Sequence, residues 1–380
     1  FRSATPPDDR ESGRKRLCKE IRALLHFPVV PAKGSCLNRV MAFWRFWFIF
    51  FPFTALLFSM VHGSPLNAPV ITLGEKKSLF GEKAQANEYV SYALYYWPDP
   101  ANPDGPYKPI DGKKNKRLRS MDDSGRMAAF ISTVCSLGRQ YKLDRDPQAA
   151  SRAGQWLKAW FIAPATRMQP HLKYAQIRPG NRTEGGGGGI IDLYRIPEFL
   201  EALTALKCSN ALTAEEWKQV DAWLNQYYTW LTTSRQGRHA HTCSNNHYLF
   251  YVAQCAHLAS FLGRSHEAAQ WLAEAFANMD RHIAPDGSQP EELKRAEPWQ
   301  YSVYTLQAWG YLVHLAERMG DKNYRYRKTP AGASIQKAVD YLLPYHANPE
   351  TWPWQGSRAN TPLPAIFEPE QAGRPQRKCS

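Results

Sequence analysis

The sequence lacks the motifs of several common kinds of site. Its 380 residues contain no C-x-x-C pair, and the seven cysteines and eleven histidines follow no spacing typical of zinc ligands. The glycine run at residues 185–189 is followed by isoleucine, whereas a phosphate-binding loop needs lysine and then serine or threonine there. The run is therefore interpreted as a turn before a helix or as a loop at the edge of a groove. We expect neither a metal nor a cofactor.

The cysteines are spread thinly along the chain. Cys135, Cys208 and Cys255 fall in apolar helical patterns and are interpreted as small core residues. One disulfide remains an open prediction, because the sequence does not select a pair. Three aspartates, Asp122, Asp123 and Asp286, follow no EF-hand spacing and do not predict a calcium loop.

Acidic residues are the scarcer charged class. The chain has 34 Asp and Glu against 48 Lys and Arg, a net charge of +14, of which residues 1–63 contribute +6. The remaining +8 favours a polyanionic partner. We find no zinc finger and no RNP pattern, so nucleic acid is not expected. An acidic polysaccharide fits the charge equally well and agrees with the rest of the sequence.

The N-terminal segment is predicted to be removed from the mature protein. Residues 1–40 are basic, lack sustained periodicity and begin with Phe1, so we interpret them as an extension. Met41, Arg45, an apolar run at residues 46–61 and small residues at Gly63 and Ser64 follow the order of a signal peptide. The run is shorter than the roughly 20 residues of a spanning helix; a membrane anchor is the alternative. We expect a secreted or periplasmic monomer without stable membrane insertion.

Residues 64–380 are assigned to a single domain that begins with a loop-rich part. Strand patterns are nearly absent, and helical spacing dominates from about Asp122. Thr213-x-x-Glu216 forms a capping box at one helix start. We predict helices near residues 122–142, 146–162, 190–207, 213–232, 246–262, 266–282, 298–319 and 333–344. This order predicts an all-α fold, an incomplete (α/α) toroid of antiparallel helix pairs around a central cleft. A bundle or a solenoid would leave a similar pattern, although no fixed repeat favours the solenoid.

Aromatic residues are abundant, with 13 Trp and 19 Tyr. Such rings pack well in a core, and they also lie flat against sugar faces while OH or NH groups reach polar partners. The turn-rich segment at residues 95–100 places three of them in a row, Tyr95, Tyr96 and Trp97. These rings are predicted either to line a groove or to fill the core.

Two stretches carry candidate chemistry. Asn245, Asn246 and His247 enter a predicted helix, where they offer amide donors and an imidazole. Asparagine is also a favoured N-cap, so a purely structural role is the alternative. In the second stretch, Arg295 precedes Tyr301 and Tyr304, which share one face of the helix that opens at Pro298. Here the alternative is that Arg295 pairs with Glu291 or Glu292.

Together these stretches resemble the alginate lyase superfamily of polysaccharide lyases. The resemblance covers most of residues 90–355, and the Asn-Asn-His element followed by Arg and Tyr is its more specific part. Supporting matches lie at residues 96–100, 174–176, 189–192, 286–288 and 292–295. The resemblance implies an α/α toroid whose cleft holds these residues. It also implies cleavage of a uronic-acid polymer, alginate (polymannuronate) or glucuronan, by β-elimination that gives unsaturated oligosaccharides.

The reaction explains why such residues are needed. Removal of the C5 proton of a uronate puts further negative charge onto its carboxylate, and donors aimed at that charge stabilise it. We assign Tyr301 as base and acid, His247 and Arg295 as neutralising groups, and Asn246 as the carboxylate partner. Nearby Arg295 is expected to lower the pKa of Tyr301, and Tyr304 is the reserve tyrosine. The predicted substrate-binding residues are Asn245, Tyr248, Tyr304, Gln176, Tyr96, Trp97 and Lys294.

Two other functions remain open at this stage. A glycoside hydrolase on the same toroid needs two carboxylates flanking the bond, for which Asp192 and Glu291 or Glu292 are the candidates. A non-catalytic binder of acidic glycans would use the aromatic and basic surfaces without cleaving the chain.

Overall fold

The helices dominate the computed structural model, which describes residues 65–181, 183–356 and 361–367. In chain order they are α1 Lys116–Ser120, α2 Ser124–Asp144, α3 Pro147–Leu157, α4 Ile196–Leu206, α5 Ala214–Thr233, α6 Arg235–His241, α7 Asn246–Phe261, α8 Ser265–Ala277, α9 Pro290–Leu293, α10 Pro298–Arg318 and α11 Ile335–Ala347. Each of the eight predicted helices has a counterpart, and the short α1, α6 and α9 are additional. The predicted extension and signal peptide lie outside the described residues.

Short non-α segments complete the helical part. A π-helical turn, Lys158–Ile162, continues α3, and 3-10 turns occupy Gly187–Leu193, Met279–Arg281, Pro349–Thr351 and Ala365–Phe367. The helices and turns belong to a unit that spans Pro69–Pro369. The fold is the predicted all-α toroid.

Local sequence explains where the helices begin. Asp146 accepts a hydrogen bond from the Gln148 amide and precedes Pro147 at the first position of α3. At α5, Thr213 and Glu216 form the predicted capping box, with each side chain bonded to the other residue's backbone N–H. Pro298 opens α10, as its fixed backbone angle favours.

Helix α7 is the innermost helix of those described. All but a few of its side chains are buried, and it packs against α4, α5, α6, α8 and α10. A helix that is apolar on all sides has to be surrounded in this way. Since its N-terminus carries Asn246 and His247, the surrounding helices hold these two residues in place.

Two small sheets bring the loop-rich part of the chain to the helices. β1 Val90–Tyr92 pairs in parallel with β4 Tyr174–Ile177, and β2 Tyr96–Trp97 pairs antiparallel with β3 Lys108–Pro109. The first pair places Gln176 beside Ser91. The second brings the turn after β3, which contains Asp111, towards the segment that follows α9.

Stacked aromatic rings fill much of the core. The ring of Phe130 lies parallel to that of Trp160 at a centroid distance of 4.3 Å and also contacts Trp156, Phe161 and Phe199. Each such fully buried side chain contributes about 1.5–3 kcal/mol through removal of apolar surface from water. Cys135 and Cys255 are buried as predicted, whereas Cys208 is half-buried.

Within the described part of the chain, no helix combines the length and apolar character that crossing a membrane requires.

Candidate active site

Arg295 is anchored by a residue far away in the sequence. Its Nε and Nη2 donate to the two carboxylate oxygens of Asp111 at 3.0 and 2.6 Å, and the Ala296 N–H donates to the same carboxylate at 2.8 Å. The hydrogen bonds from Arg295 hold the pKa of Asp111 below its usual value. Arg295 therefore pairs with neither Glu291 nor Glu292, and a charged bidentate pair fixes the plane of its guanidinium.

The guanidinium of Arg295 covers the ring of Tyr301. Its central carbon lies 3.6 Å from the ring centre, within cation–π range. The Tyr301 hydroxyl donates to the Tyr95 hydroxyl at 2.9 Å, and the residue is 9% exposed. The sequence thus correctly placed Arg295 next to Tyr301.

The expected effect of Arg295 on Tyr301 is outweighed in the free protein. Burial and the hydrogen bond with Tyr95 raise the pKa of the Tyr301 phenol well above its ordinary value, although Arg295 acts in the opposite direction. A cation favours the phenolate, but desolvation disfavours it more strongly here. Tyr301 is therefore a protonated phenol at neutral pH, which is the form that can donate a proton.

Asn245 and Asn246 have different roles at the start of α7. The Asn245 side chain accepts a hydrogen bond from the His247 N–H at 3.2 Å and caps the helix, as the structural alternative anticipated. Asn246 is buried, and both its backbone N–H and its side-chain amide donate to Glu292 at 3.0–3.1 Å. Glu292 thus fixes the orientation of the Asn246 amide.

His247 is a neutral imidazole among cations. Burial, together with the nearby guanidinium groups of Arg295 and Arg178, lowers its pKa to about 4. At neutral pH it is thus able to accept a proton or to donate through its single N–H. The positive groups around it provide a field that attracts an anionic ligand.

Gln176 and His247 both lie next to Gly188. Its backbone adopts the left-handed region with φ of 51°, which is uncommon for a residue other than glycine. Ser91 Oγ accepts from the Gln176 backbone N–H at 2.8 Å, and Asp192 accepts from its side-chain Nε2 at 2.8 Å. Asp192 also accepts from Ser91 and Tyr89. These bonds hold the strained residue in place.

Tyr96 and Trp97 are half-buried in β2. The Arg178 guanidinium lies over the Tyr96 ring at 5.5 Å, and the Trp97 N–H donates to the Lys113 carbonyl at 2.8 Å. Arg178 is also close enough to His247 for its positive charge to contribute to the lowered pKa of that imidazole. Both rings are thus retained as substrate-binding candidates.

Three other predicted binding residues, Tyr248, Tyr304 and Lys294, contact other side chains of the protein. Tyr248 is 1% exposed, and its hydroxyl donates to Glu274 at 3.1 Å in a buried aromatic cluster. The Tyr304 ring packs on Phe250 at 4.4 Å, and burial raises its phenol pKa well above the usual value. Lys294 is exposed and pairs with Glu291 at 2.7 Å. Tyr248 and Lys294 are thus engaged by carboxylates, whereas the Tyr304 phenol interacts electrostatically with Asp192, Tyr95 and Tyr301 and remains a predicted binding residue.

Several site residues escaped the sequence analysis. Asp111, Arg178 and His239 carry no motif of their own, and only the folding of sheets and loops brings each of them to the site. Tyr95 was predicted, with Tyr96 and Trp97, to line a groove or fill the core, but its hydrogen bond with Tyr301 was not predicted. The His239 ring accepts the Gly187 N–H through Nδ1 at 3.0 Å, which leaves Nε2 as the proton-bearing nitrogen.

The carboxylates considered for a hydrolase are all engaged by other groups. Asp192 accepts hydrogen bonds from Tyr89, Ser91 and Gln176, and Glu292 is buried against Asn246. Glu291 pairs with exposed Lys294. Over residues 65–181, 183–356 and 361–367, no group of three or more His, Cys, Asp or Glu residues is placed to bind a metal ion.

Comparisons with known proteins show which family the chain belongs to. A family model described as alginate lyase matches residues 72–352. The crystal structure of an alginate lyase from Bacteroides ovatus is 31% identical, with 77% of each chain covered and a TM-score of 0.73.

More distant solved structures share the fold. Alginate lyase A1-III from Sphingomonas species A1 is 16% identical over 78% of this chain and 76% of that chain, with a TM-score of 0.50. A variant of alginate lyase A1-III complexed with a tetrasaccharide is 15% identical over 89% of this chain and 77% of that chain, with a TM-score of 0.52. Comparison with curated protein sequences gives no match. On the family match and the Bacteroides ovatus relative, the chain belongs to the alginate lyase family and is a polysaccharide lyase.

Proposed function

We propose that the protein cleaves alginate, or a closely related uronan, by β-elimination and leaves an unsaturated sugar at the new chain end. The contact between Arg295 and Tyr301 carries this proposal. It places a fixed cation beside a protonated phenol, next to the helix start that bears Asn246 and His247. The family match and the positive charge of the chain support a polyanionic polymer as the substrate.

Arg295 and Asn246 receive the uronate carboxylate in this proposal. Arg295 uses Nε and Nη2 for Asp111, and within the described residues its Nη1 makes no hydrogen bond. Nη1 is therefore the group of Arg295 offered to the ligand. Asn246, whose amide is oriented by Glu292, is the second partner of the carboxylate. Donors fixed in advance at the place where charge develops stabilise the transition state most, by roughly 3–4 kcal/mol for one well-placed donor.

Two residues then share the proton transfers. The neutral imidazole of His247 accepts the C5 proton, the C5–H electrons form the C4–C5 double bond, and the bond from C4 to the leaving oxygen breaks. Tyr301 donates its phenolic proton to that oxygen, and Tyr301 and His247 afterwards exchange protons with solvent. This assignment differs from the sequence-based hypothesis that Tyr301 does both. The lowered pKa of His247 and the raised pKa of Tyr301 support it.

The test compares two tyrosines on α10. Tyr301→Phe should reduce formation of the double bond, measured as ultraviolet absorbance on polymannuronate, polyguluronate, glucuronan and hyaluronan, by at least 10²-fold. Tyr304→Phe, which keeps the packing ring, should retain most of the activity. Wild-type rates for Tyr301→Phe would reject its role. Saturated new ends would identify a hydrolase, and binding without cleavage a non-catalytic binder.

Export of the protein is part of the same proposal. The basic, apolar and small-residue order of residues 41–63 supports secretion or delivery to the periplasm. N-terminal sequencing of protein recovered outside the cytoplasm should give a start near Ser64. A chain that keeps residues 41–63 and sediments with membranes would instead indicate an anchor.

A further inference from the structure

Gly188, in the glycine run at residues 185–189, has no packing reason to be glycine. A Cβ on Gly185 would lie 1.9 Å from the Ala175 carbonyl oxygen, on Gly187 it would lie 2.5 Å from the Ala240 nitrogen, and on Gly189 it would lie 2.4 Å from the Ala175 carbonyl oxygen. These three positions cannot accept a side chain without backbone movement.

Gly188 is different. The nearest atoms to a Cβ there are Cε1 and Nε2 of His247, at 3.7 and 3.8 Å, and Oε1 of Gln176, at 4.0 Å. These are ordinary contact distances, and the backbone of Gly188 is not in the left-handed region. A side chain would fit, but it would occupy the space next to the His247 imidazole. We name this space, bounded by Gly188, Gln176 and His247, the Gly188 notch.

The chemistry of the notch is set by the orientation of the Gln176 amide. The carboxylate oxygens of Asp192 can only accept hydrogen bonds, so it is the side-chain nitrogen of Gln176 that points towards Asp192. The side-chain carbonyl oxygen of Gln176 therefore points away from Asp192. Within the described residues, this carbonyl oxygen accepts no hydrogen bond, and it is the Gln176 atom nearest to Gly188. The notch therefore presents an acceptor.

An acceptor recognises one kind of group on a uronan. A carboxylate would be repelled by the Gln176 carbonyl and finds its donors at Arg295 and Asn246 instead. A sugar hydroxyl can donate to Gln176 Oε1. We infer that the Gly188 notch holds a ring hydroxyl of the uronate, which donates to Gln176, and that the missing side chain at position 188 makes room for it. This inference rests on the proposed function, because it places the notch beside a catalytic imidazole.

Three variants separate the roles of space and hydrogen bonding. Gly188→Ala adds a methyl group at ordinary contact distance, whereas Gly188→Val fills the notch. Gln176→Asn keeps a residue type that tolerates the left-handed backbone but withdraws the carbonyl. The thermal midpoint of each variant, compared with that of the wild type, reports whether it folds.

Binding of a saturated oligouronate, measured by calorimetry, tests the notch without relying on cleavage. Gly188→Val should weaken binding by more than tenfold and Gly188→Ala by less, and Gln176→Asn should weaken it by about tenfold, the usual effect of losing one hydrogen bond partner. Wild-type affinity in a folded Gly188→Val variant would overturn the inference and leave the proposed function standing.

Chemically O-acetylated polymannuronate provides the second readout. Acetylation replaces the hydroxyl donor with a bulkier ester, so the wild type should show a lower kcat/KM on the acetylated polymer than on the plain one. Gln176→Asn should reduce this discrimination, because the acceptor that selects the hydroxyl has been withdrawn. Unchanged discrimination in Gln176→Asn would overturn the inference. If the wild type neither binds nor cleaves any uronan, the proposed function fails, and the inference fails with it.

Discussion

Glu292 accepts hydrogen bonds from both the backbone N–H and the side-chain amide of Asn246, and both residues are buried. Burial raises the pKa of Glu292, whereas the bonds from Asn246 act to lower it. A carboxylate accepts at both oxygens, and an amide does not. The charge state of Glu292 and the orientation of Asn246 are therefore coupled.

Replacing this carboxylate should weaken the reaction more than the fold. In Glu292→Gln one acceptor oxygen becomes a donor, so the Asn246 amide loses a partner, at a cost of about 1–3 kcal/mol. We expect kcat on alginate to fall about 10- to 100-fold. The matched control is Glu291→Gln, which removes the neighbouring exposed carboxylate and should leave kcat unchanged. Equal rates for both variants would show that Asn246 does not depend on Glu292.

Asp111→Asn should loosen Arg295. The bidentate pair becomes a neutral contact, so the guanidinium is held less firmly over Tyr301. We expect kcat/KM to fall about tenfold or more, since charge-assisted bonds contribute about 1.5–3 kcal/mol. Asp99→Asn, which removes the pair with exposed Lys108 in the same segment, is the control. An effect of the same size in both would point to general loosening of the segment.

The pH dependence of kcat/KM should show an unusually low acidic limb. His247 has to be neutral to accept a proton, and its pKa in the free protein is lowered to about 4. Activity should thus rise as the pH increases through about 4 and stay level across neutrality. It should fall only under strongly alkaline conditions, where Tyr301 loses its proton. An acidic limb near pH 6.5, the ordinary value for histidine, would contradict the assignment of His247.

Folding stability should fall at acidic pH because of buried histidines. Burial lowers the pKa of His257 to about 4 and that of His282 to about 3, whereas in the unfolded chain both titrate near 6.5. Between these values the unfolded chain binds more protons, so stability is complete above about pH 6.5 and is lost as the pH decreases towards 3.

His282→Phe tests the acid response directly. It keeps the ring stacked on Tyr248 and removes the titrating group. The free energy of unfolding, measured with denaturant between pH 4 and 7, should then decline less steeply, by at most about 1.4 kcal/mol per pH unit. His266→Gln changes an exposed histidine and should leave the slope unaltered. Parallel slopes for wild type and His282→Phe would show that His282 does not contribute.

The sequence predicted the helical scaffold well, because its signals are local. Thr213 and Glu216 lie one turn apart and bond to each other's backbone, and Pro298 opens α10 where the pattern indicated. α6 was missed because its seven residues are mostly polar and it follows α5 directly. The π-helical turn after α3 likewise had no signature that distinguishes it from an α-helix.

The site was predicted only where its members are close in sequence or share a motif. Arg295 lies in the loop just before α10 and Tyr301 lies in the first turn of that helix, so their closeness in sequence predicted their contact. Asp111 lies 184 residues from Arg295, and no periodicity reveals such a partner. The raised pKa of Tyr301 was missed for a related reason, because desolvation depends on the whole surroundings and not on one neighbouring cation.

The segment that contains β2 and β3 has a consequence for how the enzyme can be inactivated. The short stretch from Tyr95 to Asp111 supplies the phenol partner of Tyr301, the anchor of Arg295 and two aromatic rings, yet it contributes little to the helical core. A single proteolytic cut within it would leave the helices folded and the circular dichroism spectrum nearly unchanged. The same cut should loosen the Asp111 anchor of Arg295, so it is expected to inactivate the lyase without unfolding its helices.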